Sequence, residues 1–148
     1  MIDLKSRLAL ILVVFFLPWI ISSQSKPSYS VKILGVVQDG GLPHLGNNKT
    51  CCENIQQNKY VTSIMLVNNE NNESYLFDAS PDINEQLNFM GDRIKTDLKG
   101  IFLTHAHIGH YTGLMYFGRE ALNSKSINVY AMPRMKRFLE DNGPWSQL

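Results

Sequence analysis

The stretch IFLTHAHIGH, residues 101–110, is the most informative part of the sequence. An apolar run ends at Thr104, and His105, His107 and His110 follow within six residues, although the whole chain has four histidines. This is the pattern of a buried strand that presents imidazoles at its carboxyl end. Neutral imidazole is a preferred ligand of zinc and iron, and the short spacing lets several rings converge on one point. The stretch therefore predicts a metal site on these three histidines.

The histidine spacing resembles the H-x-H-x-D-H signature of the metallo-β-lactamase superfamily. The longer stretch from Thr104 to Leu122 is similar to one branch of it, the relatives of the pyrroloquinoline-quinone (PQQ) biosynthesis protein B. The QDGG loop at residues 38–41 and the run LFDASPD at residues 76–82 are also similar to that branch. The resemblance extends from about residue 31 to residue 148. It implies the fold and the metal-dependent chemistry of the superfamily.

One position departs from the signature, because Gly109 stands where the superfamily usually has Asp. That carboxylate normally binds a second metal, so the resemblance implies one zinc or iron ion, held by His105 and His107. The third protein ligand of this ion would be a histidine from the second half of the family's domain. By the same analogy, His110 points to the second metal position. Without an Asp at position 109, three roles are open for it: a weak ligand there, a further ligand of the first metal, or an acid–base group. The alternative is a helix-start residue that is hydrogen-bonded to the backbone.

Asp78 is the second candidate catalytic residue beside His110. It ends a strand, and two roles are open: orienting a ligand histidine through its Nδ1–H group, or forming the turn before the next helix. Asp39 and His44 lie in the loop after the first predicted strand. A role at the metal or substrate edge is open for both, the alternatives being an ordinary turn for Asp39 and a solvated side chain for His44.

Cys51 and Cys52 are adjacent, and a disulfide between chain neighbours is strained. In an oxidising compartment each could pair elsewhere or hold a structural metal. Their role stays open.

The order of predicted elements indicates an α/β fold. Strands are predicted at residues 31–37, 60–68 and 74–78, and the last two form an antiparallel hairpin. Strands at 100–104 and 127–131 then alternate with helices. These helices begin near Ser80, run through Leu114 to Leu122, and begin again at Pro133. No G-x-G-x-x-G follows the first strand, so the order of elements does not suggest a dinucleotide-binding (Rossmann) unit.

By resemblance, this order is the N-terminal half of the metallo-β-lactamase αβ/βα four-layer sandwich. The sequence has no histidine after His110, although the family has further ligands downstream. We interpret the chain as part of a longer product, the alternative being a natural half-domain that pairs with another chain. Half a sandwich is expected to leave four side chains without a facing layer: Ile33, Leu66, Leu76 and Leu103.

Composition limits the partners. A chain of 148 residues with 44% hydrophobic residues can form one domain, and its net charge of +1 gives no field that would favour nucleic acid. No basic run or phosphate-binding glycine loop is present in the sequence. A small-molecule substrate is therefore the expected partner, and nucleic acid is not.

Residues 1–25 have the layout of a secretory signal peptide. Lys5 and Arg7 precede an apolar core from Leu8 to Leu17, and Ser23-Gln24-Ser25 offers a cleavage site. Residues 26–30 are predicted to be a linker, and residues 31–148 the metallo-β-lactamase-like part. The product would be periplasmic or secreted. An uncleaved anchor is the alternative, in which case the leader would be its contact with the membrane.

Together, the leader and the resemblance to the metallo-β-lactamase superfamily imply an exported metal-dependent hydrolase-like protein, in which a metal-bound hydroxide would attack an ester, amide or phosphodiester. Two alternatives stay open. One is a periplasmic binding protein that retains the fold without catalysis, and the other is an oxygenase-like protein of cofactor biosynthesis.

Overall fold

The computed structural model describes residues 27–46, 59–91, 97–125 and 127–147. The predicted signal peptide and the Cys51-Cys52 pair lie outside these ranges. None of the helices within them is long and apolar enough to span a membrane.

Five strands form one mixed sheet in the order β1-β2-β3-β4-β5. Strand β1 pairs antiparallel with β2, and β2 with β3, which confirms the predicted hairpin. Strands β3, β4 and β5 run parallel. Their bounds are β1 Tyr29–Gly35, β2 Ser63–Asn68, β3 Glu73–Phe77, β4 Asp97–Phe102 and β5 Asn128–Tyr130. Because β1 begins at Tyr29, the last two residues of the predicted linker are paired in the sheet.

The helices follow the strands, as the α/β pattern predicts. Helix α1 begins after the turn at Ser80, where the Asp82 amide donates to the Ser80 hydroxyl over 3.1 Å. The bounds of the helices are α1 Ile83–Gly91, α2 Ile108–Tyr111, a 3-10 helix Thr112–Phe117, α3 Pro133–Asp141 and a 3-10 turn Trp145–Gln147.

The predicted helix from Leu114 to Leu122 is wrong in form. One turn of α2 leads into the 3-10 helix, which ends before Gly118. The cause is a close backbone approach at Gly113, whose amide donates to the carbonyl of Ala79 over 3.0 Å. A Cβ on Gly113 would lie 2.0 Å from the carbonyl oxygen of Ser80. This contact draws the chain to the neighbouring loop, and a regular helix does not continue.

The hydrophobic core lies on one face of the sheet, beneath the helices. Leu76 and Leu103 belong to this core, so the expectation that they lack a facing layer is wrong. They project to the helix side, because successive side chains of a strand alternate between faces. The core comprises Leu34, Met65, Val67, Leu76, Ala79, Ile83, Ile101, Leu103, Leu114, Phe117, Met135 and Leu139.

The opposite face of the sheet is apolar and solvent-exposed. Val31 and Ile33 on β1 are 61% and 69% exposed. Phe102 stacks between Phe77 and Tyr130, with ring centroids 5.1 and 4.4 Å away. Within the described ranges, no element packs over Ile33, which is the exposure expected of this side chain. The architecture is a mixed five-stranded sheet with helices on one side, which agrees with the predicted α/β fold.

Candidate metal centre

The histidine stretch lies at the carboxyl ends of the parallel strands. Asp78 follows β3, and Thr104 follows its neighbour β4, so their side chains meet at one edge of the sheet. Backbone bonds hold the two loops together, because the amide of Ala79 donates to the carbonyl of His110 over 2.9 Å. In open α/β sheets, this edge is where ligands usually bind.

Asp78 is the centre of the hydrogen-bond network. Its Oδ1 accepts from the amide of Thr104 over 2.8 Å, and its Oδ2 accepts from the Thr104 hydroxyl over 2.8 Å. The same Oδ2 lies 2.8 Å from Nδ1 of His110. The residue is buried and has a φ of 65°, a left-handed conformation that only a few non-glycine residues adopt. Residues held in this way cluster at functional sites.

These contacts define which nitrogen of two imidazoles carries hydrogen. A carboxylate only accepts, so Nδ1 of His110 must donate to Asp78. The single hydroxyl hydrogen of Thr104 is donated to Asp78, so its oxygen accepts from Nδ1 of His105, 2.9 Å away. In their neutral forms, both His105 and His110 therefore present an Nε2 lone pair. Lone pairs of this kind are what a metal ligand requires.

His105 and His107 form the first pair of donors. Nε2 of His105 lies 3.1 Å from Nδ1 of His107. Two nitrogen ligands that each lie about 2.1 Å from a tetrahedral zinc ion are about 3.4 Å apart. The pair therefore fits two ligands of one ion after a small displacement. His107 immediately precedes α2, and its side chain is 73% exposed.

His110 and Asp39 form the second pair. Nε2 of His110 lies 3.1 Å from Oδ1 of Asp39, and Oδ2 of Asp39 lies 3.6 Å from Nδ1 of His107. His44, the other candidate of the loop after β1, is placed differently. Its Nδ1 lies 2.9 Å from the carbonyl oxygen of Leu45. The structure therefore brings Asp39 to the histidines and gives His44 a local contact.

Within the described ranges, no three His, Cys, Asp or Glu side chains meet as a ready-made metal site. The donors are instead arranged as the two pairs, His105 with His107 and His110 with Asp39. The chemistry of these donors, imidazole with carboxylate, suits zinc or iron.

Two contributors to the site escaped the sequence analysis. Thr104 connects Asp78 to His105, and Gly113 allows the 78–80 loop to approach α2. A threonine at the carboxyl end of the motif strand was the available signal for the first. The second depends on contacts between distant segments, which spacing along the chain does not report.

A cavity of about 480 Å³ adjoins His105. Its wall is mainly apolar, with Tyr111, Met132 and Phe138 among the lining side chains. Arg134 also lines it. The cavity places an apolar surface with one cationic group beside the first histidine pair.

Comparisons with known proteins agree with these observations. Among curated sequences, the chain is 34% identical over 96 residues to the coenzyme PQQ synthesis protein B of Klebsiella pneumoniae strain 342. The match includes 57% of this chain and 31% of that protein, and a second strain of the species gives the same values. The chain thus spans about a third of the length of these relatives.

Solved structures match the fold at lower identity. Zn(2+)-bound PqqB from Methylobacterium extorquens matches with a TM-score of 0.63 and 23% identity, over 80% of this chain and 42% of that one. A diphosphatase of the PhnP family gives 0.62 and 22%, over 76% and 45% of the two chains. The short form of human tRNase Z gives 0.50 and 21%, over 73% and 36%.

A sequence profile described as the Beta-lactamase superfamily domain matches residues 73–148, just over half of the chain. This range contains Asp78 and all three histidines of the motif. The predicted resemblance is confirmed: the chain belongs to the metallo-β-lactamase superfamily and is similar to its PqqB branch.

Proposed function

We propose that this chain is the metal-binding part of an exported metal-dependent hydrolase. One observation carries the proposal: Nε2 of His105 and Nδ1 of His107 lie 3.1 Å apart at the carboxyl edge of the sheet. Superfamily membership supports it, because two of the structural neighbours are described as a diphosphatase and a tRNase.

Each side chain has a defined task in this proposal. His105 and His107 hold the metal. Asp78 positions His110 by a direct hydrogen bond, and it positions His105 indirectly, through the Thr104 hydroxyl. Keeping hydrogen on the Nδ1 atoms leaves the Nε2 atoms free to bind. A zinc or iron ion bound here would supply Lewis-acid chemistry, polarising the substrate and lowering the pKa of a coordinated water. His110, whose side chain is 12% exposed, is available for ligation or for proton transfer.

The proposed substrate is a small molecule with an ester, amide or phosphodiester bond. The cavity beside His105 supports this, because its apolar wall can hold an organic group and Arg134, which also lines it, can pair with a negative one. The net charge of +1 gives no support for a nucleic acid as the partner.

The leader supports export to the periplasm or the outside of the cell. Its charged start, ten-residue apolar core and Ser-Gln-Ser site are the parts of a cleavable signal peptide. Contact with the membrane is proposed only for a chain that keeps this leader.

A second candidate is a role in cofactor synthesis, which the 34% identity to the coenzyme PQQ synthesis protein B favours. The export signal opposes it, because such pathways draw on precursors from the cytosol. Deleting the gene and measuring PQQ in the cells separates the candidates. Unchanged PQQ supports the exported hydrolase, and a loss of PQQ supports the second role.

The main experiment is metal analysis of the full-length gene product that contains this sequence. We expect bound zinc or iron, and we expect His105→Ala or His107→Ala to remove the ion of the first pair. His44→Ala is the matched control, since the hydrogen bond of His44 within the described ranges is to its neighbour Leu45 and not to the motif. Hydrolysis of p-nitrophenyl esters and phosphodiesters should be lost with the metal. A folded, metal-free wild-type protein would contradict the proposal and favour a binding module on the same fold.

A further inference from the structure

The Asp39 carboxylate has a position that an ordinary turn does not explain. It follows β1 in the chain, yet its oxygens lie 3.1 Å from Nε2 of His110 and 3.6 Å from Nδ1 of His107. The side chain is 19% exposed, and it faces two imidazoles from a segment about seventy residues further along the chain. The Asp39 carboxylate thus lies close to two histidines of the motif, His107 and His110.

Gly109 accounts for how Asp39 reaches this position. A Cβ built on Gly109 would lie 2.6 Å from Oδ1 of Asp39 and 2.8 Å from its Cα. Because one of these atoms belongs to the backbone, a side chain at position 109 does not fit while Asp39 is in place. The carboxylate of the QDGG loop occupies the space that a residue 109 side chain would need.

The hydrogen bonds of His110 make this contact informative. Its Nδ1–H group donates to Asp78, so the neutral ring presents an Nε2 lone pair toward Oδ1 of Asp39. Two electron-rich atoms 3.1 Å apart repel each other unless a positive charge lies between them. A hydrogen carried by one of the two atoms, or a metal ion bound to both, would remove this repulsion. A nitrogen and an oxygen ligand of one ion are separated by about this distance.

We propose that Asp39 is a metal ligand and that, with Nε2 of His110, it forms a second divalent-cation position. The position adjoins that of His105 and His107, because the other Asp39 oxygen points to His107. The proposal rests on the proposed function and replaces one ion by two. The proposal also explains why residue 109 is a glycine: Asp39, in the loop after β1, supplies the carboxylate and occupies the space of a side chain at position 109.

Metal stoichiometry tests the proposal without an activity assay. The full-length protein is stripped of metal and dialysed against Co²⁺ or Zn²⁺, and bound metal is counted per chain. We expect about two equivalents in the wild type and about one in Asp39→Asn, which keeps the shape of the side chain. His110→Ala should match Asp39→Asn. The visible spectrum of bound Co²⁺ should lose one component. Asp97→Asn, an exposed carboxylate distant from the histidines in the sheet, is the control.

A swap of the carboxylate gives a second, independent readout. Gly109→Asp alone should lose the second equivalent, because its side chain collides with Asp39. Asp39→Gly should also lose it, and the double variant Asp39→Gly/Gly109→Asp should regain it from the opposite side. Thermal melting of each variant identifies those that are folded and therefore comparable.

The outcomes separate this proposal from the proposed function. Wild-type protein with one equivalent, lost in His105→Ala and unchanged in Asp39→Asn, overturns the role of Asp39 and leaves the hydrolase intact. Two equivalents that persist in folded Asp39→Asn overturn it as well. A wild type that binds no metal overturns both.

Discussion

Oδ2 of Asp78 lies 2.8 Å from Nδ1 of His110, a contact between residues 32 positions apart in the chain. The contact engages Nδ1 of the imidazole, so Nε2 is the ring nitrogen that can bind a metal. Because the same oxygen also receives the hydroxyl of Thr104, one buried carboxylate orients two of the three histidines of the motif.

Asp78→Asn should weaken metal binding about 10- to 100-fold. Both carboxylate oxygens of Asp78 accept hydrogen bonds, whereas an Asn side chain has a single oxygen that can accept. Asn tolerates the left-handed backbone at this position, so the fold should persist. A chelator competition titration of the full-length protein with Zn²⁺ measures the effect. Asp97→Asn should titrate like the wild type. A folded Asp78→Asn protein with wild-type affinity would show that orientation by Asp78 is irrelevant.

Thr104→Val should lower the affinity of the His105 and His107 pair about 10-fold. Valine keeps the shape of the side chain but removes the oxygen that accepts from Nδ1 of His105. The backbone bond from the amide of residue 104 to Asp78 does not depend on this side chain, so it should remain in Thr104→Val and in the control Thr104→Ser. Thr104→Ser restores the hydroxyl and should bind like the wild type. Equal affinities of the Val and Ser variants would contradict the assignment.

The fold could be predicted largely because its signals are local. Three signals each act within a few residues. They are the short apolar runs of the strands, the Asn-rich residues 68–72 between β2 and β3, and Pro133 at the start of α3. The histidine motif is local as well, and its end-of-strand position follows from the apolar run before Thr104. Asp39 could not be assigned, because its approach to His110 depends on the absence of a side chain at Gly109. The 3-10 segment was missed for the same reason, since Gly113 bonds to a distant loop.

Gln86→Leu should destabilise the protein by about 2–4 kcal/mol, because it removes the side-chain donor to the Val61 carbonyl and the acceptor of the Ser80 hydroxyl hydrogen, both in a buried place. Gln86 is 1% exposed, donates to the carbonyl of Val61 over 2.7 Å and accepts from the Ser80 hydroxyl over 2.8 Å. It therefore joins α1 to the loop before β2 and to the turn after Asp78. Calorimetry of the full-length protein should show a lower Tm. Asn88→Leu, on an exposed position of α1, should leave the Tm nearly unchanged, and a similar loss in both would refute the burial argument.

The leader should be removed on export. N-terminal sequencing of the mature protein from the periplasm or the medium should begin near Lys26, after the Ser-Gln-Ser site. Ser23→Leu together with Ser25→Leu should block cleavage and leave the chain on the membrane, because the signal peptidase site requires small residues. Wild-type protein that is recovered only in the membrane with Met1 in place would reject a cleaved signal and support an anchor.

The last prediction concerns the exposed apolar face of the sheet. Residues 27–148 expressed alone should self-associate, because an uncovered apolar surface next to a free strand edge favours aggregation. Replacing Val31 and Ile33 by Thr should raise the monomer fraction, since both are well exposed and threonine keeps the β-branched shape that strands favour. Leu34→Thr, the same kind of change on the buried face of β1, should instead unfold the chain. Sedimentation velocity with a parallel thermal melt distinguishes these effects. A monodisperse monomer of the unaltered chain that melts cooperatively would mean that this face needs no partner.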